Sequence, residues 1–170
     1  PGDIVFPYIQ KNLDDIITVE DEELIVNFLD VVENHKMVVE NSGLLTVAAL
    51  KHLNCKDKRV VSILSGGNMD IITMSSVVQH GLIERGRVFT VSVQLPDRPG
   101  ELVNVANVIA QLKGNVIRLE HNQFVSINRN AAVELKITLE AFGHEHKQQI
   151  VDALKEKGYD PKLENPTSLY

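Results

Sequence analysis

The sequence has a single cysteine and no long apolar or basic run, and each of these shortages excludes a class of protein. With Cys55 alone, the chain can form neither an internal disulfide nor a zinc site built on cysteines. No stretch approaches the roughly 20 apolar residues that a membrane-spanning helix needs. The longest basic cluster is Lys56–Arg59 in a chain of net charge −6, which argues against binding to nucleic acid or an anionic membrane. We therefore expect a cytoplasmic protein with no metal, nucleic-acid or membrane partner.

What the chain does contain is typical of a globular protein. Apolar residues make up 44% of its 170 residues and charged residues 24%, which fits one or two folded domains. The first residue is Pro1 rather than methionine. We therefore expect that the chain was cut from, or processed out of, something longer.

Residues 1–86 are predicted to be a fragment of an α/β domain. Ile16–Val19 and Val60–Leu64 are short apolar runs, the pattern of strands buried on both faces of a parallel sheet. Helices are predicted between them, and a further helix over Asp70–Arg85 ends at Gly86. Two strands do not make a stable sheet, so the remaining strands are expected upstream of this chain.

Residues 87–170 are predicted to be a second, complete domain. Apolar and polar residues alternate in the predicted strands and recur at helical spacing in the predicted helices. The predicted strands are Phe89–Leu95, Ile117–His121, Val133–Ala141 and Pro161–Glu164, the helices lie around Leu102–Leu112 and Ile150–Leu154, and a turn falls at Asn128–Asn130. The order βαββαβ indicates an α+β sandwich of ferredoxin-like type, with helices on one face of an antiparallel sheet.

The loop between the first strand and helix of this second domain is a candidate ligand site. Leu95–Leu102 reads Leu-Pro-Asp-Arg-Pro-Gly-Glu-Leu, a strand entering a helix through a loop with proline and glycine. The start of a helix leaves backbone N–H groups free for a carboxylate, and Gly100 lets a ligand approach the backbone closely. A plain strand-to-helix turn is an equally good reading of these residues alone.

Together with the βαββαβ order, this segment resembles an ACT domain, the regulatory module that binds amino acids in many metabolic enzymes. The resemblance implies an effector site at a dimer interface, between this loop in one copy and the start of the second strand in a neighbouring copy. The residues so implied are Asp97, Arg98, Gly100, Glu101 and Leu102 on one side, and Asn115, Val116 and Ile117 on the other.

A second motif, Ser65–Asn68, reads Ser-Gly-Gly-Asn between the second apolar run and a helix. Loops at the carboxyl ends of parallel strands commonly hold ligands. Two glycines allow the backbone to lie against a flat ring, and a serine hydroxyl can donate to a ring nitrogen. Taken by itself the motif is more simply a turn, but Val38–Gly43, reading Val-Val-Glu-Asn-Ser-Gly, lies before it at a predicted helix start.

These two segments, with the opening Pro1–Asp3, resemble the C-terminal part of the catalytic domain of threonine dehydratases and serine racemases. Those enzymes use pyridoxal phosphate and have the fold of the tryptophan-synthase β subunit. The resemblance implies that Ser65 hydrogen-bonds the pyridine nitrogen of the cofactor and that Glu40 lies near its ring. It also implies that the pocket wall is shaped by Gly66, Gly67 and Asn68.

With an ACT-like domain following, the whole chain is similar to the C-terminal part of threonine dehydratases, also called threonine ammonia-lyases, which convert L-threonine to 2-oxobutanoate and ammonia. Their Schiff-base lysine lies in an N-terminal Ser-Phe-Lys-type motif, and neither Lys51 nor Lys56 lies in one. We therefore expect no catalytic residue and no bound cofactor on this chain alone. The expected function is regulatory, with isoleucine, valine or serine as effector and dimerisation through the ACT-like domain. The alternative is a non-catalytic amino-acid-sensing or assembly module.

Overall fold

The computed structural model describes residues 2–122 and 133–164 of the chain. The chain divides into two compact units, Pro1–Val77 and Val78–Tyr170. The division falls inside the helix Ile71–Glu84, whereas the sequence predicts a domain boundary between residues 86 and 87. That boundary stays a prediction.

The first unit is helical. Leu24, Phe28 and Leu29 form a buried stripe on one helix, which packs against the next helix, where Leu44 and Ala48 are buried. The described helices are α1 (Phe6–Asn12), α2 (Asp21–Asp30), α3 (Asn41–Ala48) and α4 (Ile71–Glu84), with a π turn at Val31–His35 and a 3-10 turn at Ala49–His52.

Helix α2 begins where the sequence places a run of acidic residues. The side chains of Glu20 and Glu23 each accept a backbone N–H at this end, forming a capping box. The negative side chains also interact favourably with the positive end of the helix dipole. Local sequence therefore accounts for where this helix starts.

The two strands predicted for the first unit do not form, and residues 2–87 contain no strand. Ile16–Val19 and Val60–Leu64 are unpaired, and Val61 and Ile63 are 88% and 71% exposed rather than buried. A strand is stable only when its backbone N–H and C=O groups pair with a neighbouring strand. No described segment of this chain supplies that neighbour, so the apolar runs remain as exposed connections.

The second unit forms the predicted βαββαβ fold. The four strands within its described residues make one antiparallel sheet of order β2-β3-β1-β4, and α5 packs against α6. The strands are β1 (Val88–Leu95), β2 (Asn115–Asn122), β3 (Val133–Glu140) and β4 (Lys162–Glu164), and the helices are α5 (Glu101–Gln111) and α6 (His144–Glu156). The predicted turn at Asn128–Asn130 lies outside the described residues.

One face of this sheet and the two helices enclose the core of the second unit. Alternate residues of β1 and β3 meet the apolar stripes of α5 and α6, as the two periodicities predict. The enclosed side chains are Phe89, Val91, Val93, Leu95, Val105, Val108, Ile109, Leu135, Ile137, Leu139, Ala141, Ile150, Val151 and Leu154. On the opposite face, the hydroxyls of Thr90 and Thr138 are buried and hydrogen-bonded at 2.9 Å.

Candidate functional site

The two motifs of the first unit lie against each other. The backbone N–H of Glu40 donates to the carbonyl oxygen of Gly66 at 3.2 Å. In return, the N–H of Asn68 donates to Oε2 of Glu40 at 3.2 Å, and the hydroxyl of Ser42 donates to its Oε1 at 2.7 Å. The start of α3 and the Ser65–Asn68 loop are therefore joined through one carboxylate.

The glycines of the two motifs are required by this close approach. A Cβ atom on Gly43 would overlap the backbone carbonyl of Ser65, so α3 could not lie against the loop with any larger residue there. Gly66 has a φ of +77°, and a Cβ on it would lie 2.5 Å from Oε1 of Glu40. A Cβ on Gly67 would lie 3.0 Å from the carbonyl oxygen of Val38.

All five residues predicted to contact the cofactor thus come together in one place. Ser65, Gly66, Gly67 and Asn68 are exposed on the loop, and Glu40 lies beneath it. The serine hydroxyl can donate to, or accept from, an atom at the edge of a flat ring. The carboxylate of Glu40 is already engaged by Asn68 and Ser42, so its role in this arrangement is to hold the loop. These residues offer a hydroxyl and a glycine backbone to one edge of a flat ring, and the binding of pyridoxal phosphate here stays a prediction.

An ion cluster holds α2 to the turn after α3. The carboxylate of Glu23 pairs with the ammonium of Lys51 and lies 3.0 Å from Nε2 of His52. The hydrogen bond from Lys51, followed by that from His52, lowers the pKa of Glu23 to about 2. Lys51 therefore has a structural contact, and it does not lie in the loop site.

In the second unit, the predicted effector loop is an exposed turn. The N–H of Arg98 donates to the carbonyl of Pro96 at 2.8 Å, and Gly100 has a φ of +95°. The structure places Asp97 and Arg98 on the surface, and Gly100 is the N-cap of α5, with no side-chain hydrogen bond to the cap among the described residues. A Cβ on Gly100 would meet no described atom within 4 Å, so there is open space for a ligand beside this turn.

Glu101 and Leu102, the other two candidate effector residues on the loop side, differ in their contacts. The hydroxyl of Tyr159 donates to Oε2 of Glu101 at 3.3 Å, which ties the first turn of α5 to the segment after α6. Burial, and secondarily the neighbouring Glu101 carboxylate, raise the pKa of Tyr159, so its phenol stays protonated as the donor. Leu102 is 37% exposed. Sequence reasoning missed Tyr159, because no periodicity relates residues so far apart.

The structure does not bring the two halves of the predicted effector site together within one chain. In β1, Leu95 pairs with Val133 of β3, whereas in β2, Asn115 pairs with Glu140 at the other end of β3. At about 3.3 Å per residue, these levels are roughly 20 Å apart along the strands. A site that uses both halves would therefore need a second copy, and the effector site that the ACT resemblance implies stays a prediction.

The start of β2 is suited to a surface contact. The amide of Asn115 donates to Glu140 at 3.1 Å, and a bulge interrupts the pairing between Val116 and Arg118. Val116 and Ile117 are about 40% exposed on this edge strand of the described sheet. An unpaired strand edge with apolar side chains favours pairing with another chain.

The imidazole rings of two histidines in the second unit make structural contacts. Nε2 of His144 lies 2.9 Å from the carbonyl oxygen of Glu84, and Nε2 of His146 lies 2.6 Å from that of Leu112. The N–H of Phe142 donates to Nδ1 of His146 at 3.0 Å, and the two rings stack. These imidazoles thus tie the ends of α4 and α5 to the start of α6.

Within residues 2–122 and 133–164, no three His, Cys, Asp or Glu side chains are arranged so that they could hold a metal ion. None of the helices in these ranges is both long and apolar enough to cross a bilayer.

Comparison with known proteins identifies the relatives of this chain. No protein-family profile matches it. It is 35% identical over 161 residues to the L-threonine ammonia-lyase of Geobacter sulfurreducens, covering 94% of this chain and 40% of that protein. The protein of the same name from Thermotoga maritima is 31% identical over 164 residues, covering 96% of this chain and 41% of that protein. The chain thus spans about two fifths of the length of these relatives.

Among solved structures, the ACT domain of prephenate dehydrogenase from Bacillus anthracis aligns with 43% of this chain and 99% of that domain. The sequence identity is 19% and the TM-score 0.34. The fold of the second unit is therefore assigned from its own strand order, which is that of a ferredoxin-like fold. The chain is a homologue of the threonine ammonia-lyases and corresponds to their C-terminal part, as its motifs predict.

Proposed function

We propose that this chain is the regulatory portion of a pyridoxal-phosphate-dependent threonine ammonia-lyase, that it binds an amino-acid effector and that it mediates dimerisation. In the parent enzyme, L-threonine would be converted to 2-oxobutanoate and ammonia. The homology over 94% of the chain supports this, as does the order of the two motif-bearing units. The cytoplasmic location remains a prediction.

The first unit contributes one wall of the proposed cofactor site. Pyridoxal phosphate, when bound, supplies an electron sink for the reacting substrate. Ser65 would hold the ring nitrogen through its hydroxyl, which does not force that nitrogen to be protonated. Glu40 would fix the position of the loop through the hydrogen bonds that its carboxylate accepts from Asn68 and Ser42. Because the chain has no lysine in the family's Schiff-base motif, we propose that it is inactive, and free of cofactor, by itself.

The observation that carries the regulatory proposal is the open turn at Gly100, combined with the register of β2. Since β1 and β2 both pair antiparallel with β3, they run in the same direction. Suppose that β2 pairs antiparallel with β2 of a second copy. Asn115 of the second copy then lies, measured along the strands, at the same end of the sheet as the Gly100 turn of the first copy. The proposed effector, isoleucine, valine or serine, would bind there, with its carboxylate on the backbone N–H groups at the start of α5.

Calorimetric titration with isoleucine, valine, threonine and serine tests this effector site. We expect one of them to bind, and Gly100→Val to abolish the binding by filling the space beside the turn. Gly158→Val is a matched control, because Gly158 also has a positive φ, of +86°, with no described atom within 4 Å of its Cβ position. Binding that survives Gly100→Val would contradict the site, and binding lost equally in both variants would point to general destabilisation.

The alternative, a module that only mediates assembly, is favoured by the apolar edge of β2. Sedimentation of the Ile117→Lys variant tests the interface, since a charge on a strand edge blocks pairing. We expect a dimer to become a monomer, whereas Leu163→Lys on β4, the other edge strand, should remain dimeric. Dimerisation without binding of any of the four amino acids would support the assembly module over the effector site.

A further inference from the structure

A polar cavity lies on the helical side of the second unit, apart from the candidate effector residues. Its volume is about 350 Å³, within the range of small-molecule sites. It is lined by Asn104, Asn107, Val108, Gln111, Lys157 and Tyr159. None of these residues belongs to the Asp97–Leu102 loop or to the start of β2.

One wall of the cavity is a row of amide side chains on α5. Asn104, Asn107 and Gln111 are spaced by three and four residues, so they lie on one face of the helix. Asparagine is among the weaker helix formers, so helix stability does not account for two of them in adjacent turns. Each amide offers both a donor and an acceptor, which suits a ligand with several oxygen atoms.

The charged group in the cavity lining favours a negatively charged ligand. Lys157 supplies an ammonium group, and none of the described residues lining the cavity carries a carboxylate. The carboxylate of Glu101, beside these residues, accepts the hydroxyl of Tyr159. Val108 gives the wall an apolar patch, and the phenol of Tyr159, which donates its hydrogen to Glu101, leaves its oxygen as an acceptor.

We propose that this cavity binds a small carboxylate that bears further hydroxyl or carbonyl oxygens. The carboxylate pairs with Lys157, and the remaining oxygens contact the amides of Asn104 and Asn107. The site is separate from the one at the Gly100 turn and touches it through the bond between Tyr159 and Glu101. A ligand here is therefore linked to Glu101, in the first turn of α5, through Tyr159.

The test is an NMR titration of the ¹⁵N-labelled full chain with L-malate, and with malamide as its uncharged counterpart. We expect saturable shifts in the amides of α5 and of residues 157–159 with malate, and none with malamide. Lys157→Gln should weaken the malate affinity about tenfold, the usual effect of losing a hydrogen bond to a charged group. Lys155→Gln is the matched control, because Lys155 pairs with Asp152 and does not line the cavity.

A second variant guards against an effect of charge alone. Asn107→Leu keeps the size of the side chain and removes its donor and acceptor, and it should also weaken binding several-fold. The proposal is overturned if malate causes no saturable shift, if malamide matches it, or if both variants bind like the unaltered chain. Failure here would not count against amino-acid binding at the Gly100 turn, which the calorimetric titration tests separately.

Discussion

The backbone N–H of Asn68 donates to Oε2 of Glu40 across 3.2 Å, and this bond joins two segments separated by 28 residues. The same carboxylate accepts the hydroxyl of Ser42, while the backbone of Glu40 donates to Gly66. One side chain thus sets the position of the loop that bears Ser65. The position of that serine depends on Glu40 even though the two side chains are not hydrogen-bonded to each other.

Replacing Glu40 by alanine should loosen this loop. Because the N–H of Asn68 loses its acceptor, we expect its hydrogen exchange to become about fivefold faster, the effect of one modest hydrogen bond. Exchange followed by NMR gives the measurement. Glu22→Ala, on the exposed first turn of α2, should leave Asn68 unchanged, and an equal rate in the Glu40 variant would contradict the assigned role.

Replacing Gly43 by alanine should destabilise the first unit, although alanine is the better helix former. The added Cβ would overlap the carbonyl of Ser65, and relieving such overpacking typically costs about 1–3 kcal/mol. Urea unfolding followed by helical circular dichroism measures the loss. Asn41→Ala, at an exposed position in the same turn of α3, should show no comparable loss. A stabilised Gly43→Ala variant would show that the loop does not pack there.

Acid should release the contact between α2 and the turn at Ala49–His52. Lys51 and His52 hold the pKa of Glu23 at about 2, below its ordinary value of 4.5. A lowered pKa in the folded state means that the stabilisation is complete above pH 4.5 and is lost as the pH falls towards 2. The helical signal should therefore decline over this window, less steeply in Glu23→Gln. Glu22→Gln should keep the original slope, and identical slopes in all three would refute the assignment.

Because Thr90 and Thr138 form a buried hydrogen-bonded pair, we expect the effects of replacing them on the free energy of unfolding to be non-additive. Each Thr→Val change alone leaves one buried hydroxyl without its partner, which costs about 1–3 kcal/mol. Changing both removes the polar pair altogether, so the double variant should be less destabilised than the sum of the two single changes. Urea unfolding of the four proteins closes the cycle. Simple additivity would mean that the two hydroxyls do not depend on each other.

Much of the second unit could be predicted from local pattern. The alternation in Val133–Glu140 and the helical spacing in Glu101–Gln111 identify elements that the structure confirms within a few residues. Gly86 has a positive φ value just after the end of α4, as its position predicts. These features depend on the period of side-chain direction and on backbone sterics, and both act over a few residues.

The first unit shows where such patterns fail. The run Val60–Leu64 has the composition of a buried strand, yet it lies unpaired and exposed. The composition of an apolar run shows that the segment would be buried in a complete sheet. Whether it forms a strand depends on a neighbouring strand from another part of the fold. The same limit applies to the contact between Tyr159 and Glu101, which no local rule connects.

By itself the sequence determined the homology to threonine ammonia-lyases, the βαββαβ order and the residues of the Ser65–Asn68 and Asp97–Leu102 loops, because motifs and periodicities are local. Only the tertiary structure decided that Glu40 holds the loop of Ser65, and that Asn115 lies at the opposite end of the sheet from the Gly100 turn. Strand register and backbone contact across a fold are set by how all the elements pack together. Whether a candidate site is complete in one chain is therefore a property of the folded protein.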